Sequence, residues 1–90
     1  MLPTPCLVSY FRCAPASAEY EGPTIPYIRA LTYPEAKREA ILLTDCLRRQ
    51  HYGAKRGSIK QDGDHHIHVY PPDQRDNPQF VVIFHEEQRI

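Results

Sequence analysis

Ninety residues with no net charge and 41% hydrophobic content suit one folded domain and leave no room for several. No run approaches the roughly 18 apolar residues of a membrane span, so no membrane-spanning helix is expected. A chain this short buries roughly 60–65% of the surface its unfolded form exposes, so its stability should be of the order of 5 kcal/mol. Residues 1–90 are read as a single domain, with an N-terminal strand and loop extension at 1–31 and a helix plus three-stranded meander at 32–90.

The charges are unevenly distributed. Residues 31–60 carry Lys37, Arg38, Arg48, Arg49, Lys55, Arg56 and Lys60 against Glu35, Glu39 and Asp45. Residues 61–90 carry Arg75 and Arg89 against Asp62, Asp64, Asp73, Asp76, Glu86 and Glu87. This asymmetry predicts either a dipolar surface with one basic patch or a solvated helix face beside acidic loops. Cys6, Cys13 and Cys46 have no CxxC spacing. An odd cysteine count without an apolar leader predicts a reducing, cytoplasmic setting. Cys46 is expected to be a small core residue.

In chain order, residues 5–13 are rich in aromatic and β-branched side chains and predict a strand. Residues 14–23 predict a loop. Thr24 to Ala30 predicts a short extended segment that Pro26 confines to an edge or interrupts. The best-defined element is a helix at 33–51. Thr32 and Glu35 have capping-box spacing, and Pro34 falls in the first turn, where it loses no intrahelical bond. Ala36, Ala40, Leu43 and Leu47 form an apolar stripe, which Ile41 and Leu42 broaden. Arg48, Arg49 and His51 load the negative end of the dipole, and Gly53 is the expected C-terminal cap.

Arg56 to Gln61 is a candidate strand, and Asp62-Gly63 signals a turn. From Asp64 to Tyr70 the chain alternates, with His65, Ile67 and Val69 on one side and Asp64, His66, His68 and Tyr70 on the other. Pro71 to Gln79 predicts a polar loop. Phe80 to Glu86 is the most apolar strand, expected to be central. The predicted fold class is α+β: a small antiparallel sheet packed on one main helix, in the order β(β)αβββ.

Three of the five histidines fall within His65-His66-Ile67-His68. If the last two strands pair so that His65, Ile67 and Val69 lie opposite Phe80, Val82 and Phe84, that face is a core. His66 and His68 then share the other face with Val81, Ile83 and His85. A register moved by one position puts His65 and His85 together on the apolar face. Three uses of the cluster stay open at this level. The imidazoles can be ordinary strand residues with hydrogen-bonded partners. One can act as general acid or base, since imidazole titrates near neutrality. Alternatively His66 and His68 can bind a metal with His85 or Glu87 as a third ligand.

Gly63-Asp64-His65-His66-Ile67, preceded by a helix and a strand and followed by a polar turn and an apolar strand, resembles the motif of the HicA family of toxin ribonucleases. Those proteins resemble the double-stranded-RNA-binding fold. The resemblance covers about residues 33–86. It implies that His65 is the catalytic histidine, that no cofactor is needed, and that an antitoxin-like protein partner covers the His65–His68 strand.

Two functions follow as expectations. The first is a small RNA-binding or RNA-cleaving domain in which His65 or His66 is general base on a ribose 2′-hydroxyl. Lys55, Arg56 and Lys60 would hold phosphate, and Tyr70 would stack on a base. The second is a non-enzymatic protein-interaction module that binds through an exposed sheet edge. The apolar segment 5–13, or a final strand at 80–86, would leave such an edge, which predicts a homodimer or a covering partner.

Overall fold

The computed structural model describes residues 5–13 and 25–86. The loop expected at 14–23, residue 24 and Glu87 lie outside them. The described residues form strands β1 (Cys6–Arg12) and β2 (Ile25–Ala30), helix α1 (Tyr33–Tyr52), a single 3₁₀ turn (Gly53–Lys55), and strands β3 (Ser58–Asp62), β4 (His66–Tyr70) and β5 (Phe80–Glu86). The strands make one antiparallel sheet in the order β2-β1-β5-β4-β3. One helix on an open five-stranded sheet is the α+β architecture expected from the sequence.

The helix starts where its caps predict. The Thr32 hydroxyl accepts from the Glu35 amide at 3.3 Å. The Glu35 carboxylate reaches one residue beyond the reciprocal partner, to the Leu31 amide at 3.3 Å. Gly53 closes the helix with φ +60° and donates its amide to the Arg49 carbonyl.

Ala36, Ala40, Leu43 and Leu47 face the sheet and are buried among Cys6, Val8, Ala30, Ile67, Val69, Phe80, Val82 and Phe84. The expected broadening by Ile41 and Leu42 does not occur, because these residues are 47% and 50% exposed. Cys46 is exposed and is not a core residue. Its side chain is rotated about 100° from that of Leu47, off the buried stripe. Thr44 is buried instead. Its hydroxyl is satisfied by the Ile41 carbonyl at 2.7 Å, which removes the cost of burying it.

Phe80–Glu86 is a central strand, flanked by β1 and β4. The segment 5–13 is interior too, paired with β2 on one side and β5 on the other. It therefore offers no free edge, and the argument for a dimer through it fails. The edges are β2 and β3. Pro26 sits in the edge strand, and the β1–β2 register shifts between Val8 and Ser9, leaving Tyr27 as the extra residue of a bulge. A residue without an amide proton is accommodated there because an edge strand has one unpaired side.

The β4–β5 register pairs Ile67 with Val82, Val69 with Phe80, His66 with Ile83 and His68 with Val81. This is the first of the two registers the sequence allows. Ile67 and Val69 turn to the helix, and His66, His68 and Tyr70 turn away from it.

Candidate functional site on the sheet face opposite the helix

The β3–β4 pairing sets Asp62 opposite His66, Lys60 opposite His68 and Ser58 opposite Tyr70. Side chains paired across an antiparallel ladder share a face. Six polar or aromatic groups therefore gather on two short strands, on the side away from α1.

Within this group His68 is the hub. Its Nε2 lies 3.4 Å from Oδ2 of Asp62, and its Nδ1 lies 3.4 Å from the Tyr70 hydroxyl. The Asp62 carboxylate favours a proton on Nε2, the tautomer in which Nδ1 can accept from the Tyr70 hydroxyl. The side chain of His68 is 19% exposed, against 64% for Asp62. Burial pushes the imidazole below its ordinary value of 6.5; Asp62 opposes this, while His66 and Lys60 reinforce it. The result is a neutral imidazole at neutral pH beside a carboxylate. Such an imidazole can accept a proton as a general base.

His65 and His66, the catalytic candidates from sequence, separate. His66 is the first residue of β4, exposed on the same side as His68. His65 belongs to the preceding turn. Its carbonyl accepts from the Phe84 amide at 2.9 Å, and its Nδ1 lies 3.0 Å from the Phe84 carbonyl. Its ring stands edge-on to Tyr33, centroids 6.0 Å apart. The Tyr33 hydroxyl also donates to the Asp64 carbonyl. His65 thus takes part in a contact that ties the helix start to the turn.

The basic candidates also divide. Lys60 joins the His68 row. Lys55 lies in the 3₁₀ turn. Arg56 follows it with φ +58°, its guanidinium 3.4 Å from Asp45 on the helix and its carbonyl held by Nε of Arg48 at 2.8 Å. Those contacts place Arg56 at the helix end. His85 makes its contact with the Glu86 carbonyl, at 2.9 Å from Nδ1. Among the described residues no three His, Cys, Asp or Glu side chains come together to hold a metal, so the set His66, His68 and His85 is not assembled.

The sequence reading did not select Asp62 or Arg75. In the sequence Asp62 stands out as a turn residue and one of the acidic charges, and its relation to His68 needs the β3–β4 register. Arg75 comes from the loop after Pro71. With Ser58, Ile59, Lys60 and Tyr70 it lines a cavity of about 290 Å³ beside the histidine row. Among the described residues no helix is long and apolar enough to cross a membrane. Comparison with protein-family models, with curated proteins and with solved structures finds no match.

Proposed function

We propose that this chain is a small RNA-binding domain that cleaves RNA at the Asp62–His68–Tyr70 row. The observation that carries this reading is the half-buried, neutral imidazole of His68 between Asp62 and the Tyr70 hydroxyl, with a lysine directly opposite it. A ribose 2′-hydroxyl takes the place of the Tyr70 hydroxyl at Nδ1 and gives its proton to that nitrogen. The 2′-oxygen attacks the adjacent phosphorus, and the bond to the 5′-oxygen breaks. His66 returns a proton to the leaving oxygen, so the products are a 2′,3′-cyclic phosphate and a 5′-hydroxyl. Lys60 offsets charge on the phosphate as it develops. The HicA resemblance supports the same reaction class, with the base moved from His65 to His68.

The test is cleavage of a mixed RNA in the presence of chelator by the parent protein and by His68→Ala, His66→Ala and His65→Ala variants of confirmed fold. Loss in the first two and retention in the third is expected. No cleavage by the parent overturns the reading.

A separate observation favours the protein-interaction reading. On edge strand β2, Ile25, Tyr27 and Ile28 are 44%, 43% and 37% exposed, and Leu31 follows at 68%. An open strand edge with apolar side chains is recognised by addition of a partner strand. An antitoxin-like protein or a second copy of the chain is the occupant this reading requires. Light scattering at micromolar concentration, with Ile28→Lys as the variant, tests the second copy: a monomeric parent sinks that version.

A further inference from the structure

The cavity beside the histidine row has a composition suited to one kind of ligand. Ser58, Lys60 and Tyr70 stand on the same face as His68, and with Arg75 they bring a hydroxyl, an ammonium, a phenol ring and a guanidinium to the cavity; Ile59, on the other side of edge strand β3, borders it as well. No carboxylate is among these lining residues. Two cations and a hydroxyl donor without a competing anion favour a phosphate. Tyr70, 9% exposed, borders the same space and offers a narrow aromatic contact for a nucleobase. The volume of about 290 Å³ sits at the small end of ligand pockets, which span about 300–1,000 Å³. A space of that size matches a single nucleotide unit.

The position of the cavity gives the assignment its meaning. Tyr70 is both a wall of the cavity and the hydroxyl partner of His68 Nδ1. Lys60 is both a cavity cation and the residue paired with His68. A nucleotide seated there lies next to the proton-accepting nitrogen. Arg75 reaches the same space from the loop between β4 and β5, so its charge does not depend on the strand register that positions the catalytic row.

We propose that this cavity is a nucleoside monophosphate subsite, in which Lys60 and Arg75 hold the phosphate and Tyr70 receives the base. Resting on the RNA-cleavage reading, it is the pocket for the nucleotide flanking the scissile phosphate. Arg75 is then a binding determinant that acts on substrate affinity and not on the proton transfer.

The experiment is titration of the full chain, with isotope-edited NMR or calorimetry, using uridine 3′-monophosphate, adenosine 5′-monophosphate and inorganic phosphate as probes. RNA cleavage is measured in parallel. At least one nucleotide should bind about tenfold or more tightly than inorganic phosphate, through the added base contact. Arg75→Gln should weaken that binding by about tenfold or more, the effect of losing a charge-assisted contact. The same variant should raise KM for RNA with kcat retained. Equal affinity for nucleotide and inorganic phosphate, or no effect of Arg75→Gln on nucleotide binding, overturns the subsite. Nucleotide binding that depends on Arg75 in a protein that cleaves no RNA retains the subsite and overturns the cleavage reading. Cleavage without nucleotide binding does the reverse.

Discussion

Gly57 packs directly beneath the backbone of Tyr70. Its φ is +64°, and a Cβ at this position would overlap the Tyr70 carbonyl oxygen and press on the Tyr52 ring. Arg48 holds the Gly57 carbonyl from the helix at 3.4 Å. Helix end, entry to β3 and end of β4 therefore meet at one residue with no side chain.

Gly57→Ala should accordingly lower stability by more than the roughly 1–2 kcal/mol that a left-handed backbone costs an L-residue. The backbone of β4 must also move to admit the methyl group. Urea denaturation measures this, and a loss below about 0.5 kcal/mol, within the range of neutral surface changes, would show that the strand ends relax freely. Because Tyr70 also lines the candidate subsite, the variant should show altered resonances for Lys60 and Tyr70.

Leu43 and Leu42 are neighbours with opposite fates, 4% and 50% exposed. Leu43→Ala should cost about 2–5 kcal/mol, and Leu42→Ala about 0.5 kcal/mol or less. Comparable losses in thermal or chemical unfolding would place the helix on its other face.

The depressed pKa of His68 makes stability depend on pH. Below 6.5, its ordinary value, the unfolded chain binds a proton at this residue that the folded protein resists. Stability from this group is therefore complete above pH 6.5 and falls as pH drops from 6.5 to the folded value. His68→Gln should flatten the curve in that window. A parent whose stability from this group rises on acidification through the same window would contradict the burial of His68.

The two sides of the histidine motif should separate in kinetics. His68→Ala should slow cleavage by about 10²–10⁴-fold, as expected for a positioned general base. His65→Ala should retain cleavage and lose about 0.5–1.5 kcal/mol of stability, the usual net contribution of one hydrogen bond. Cleavage that depends on His65 alone would return the base to the position the HicA resemblance implies.

Thr32→Ala should cost about 1 kcal/mol through the lost N-cap, measured by denaturation. An unchanged midpoint would mean that the Glu35–Leu31 bond alone maintains the helix start.

The amino-acid sequence by itself determined the helix limits, the turn at Asp62-Gly63, the alternation of 64–70 and the apolar character of 80–86. Each of these rests on interactions within a few residues: a hydroxyl three positions before an amide, a glycine at a left-handed turn, a period of 2 or 3.6. It also singled out the imidazoles as candidate site residues and narrowed their placement to two registers. The tertiary structure decided between those registers, because the choice depends on which side chains fill the space under Ala40 and Leu43. It put segment 5–13 inside the sheet, a consequence of pairing with residues 25–30 and 80–86 that no local pattern encodes. It withdrew Cys46 from the core and admitted Thr44, since a buried hydroxyl is tolerated once a carbonyl one turn back accepts its proton. Asp62 came beside His68, and Arg75 came to line one cavity with Lys60 and Tyr70, only through strand pairing and loop closure. Those placements depend on the β3–β4 register and on the path of the loop after Pro71, which residue spacing alone does not fix.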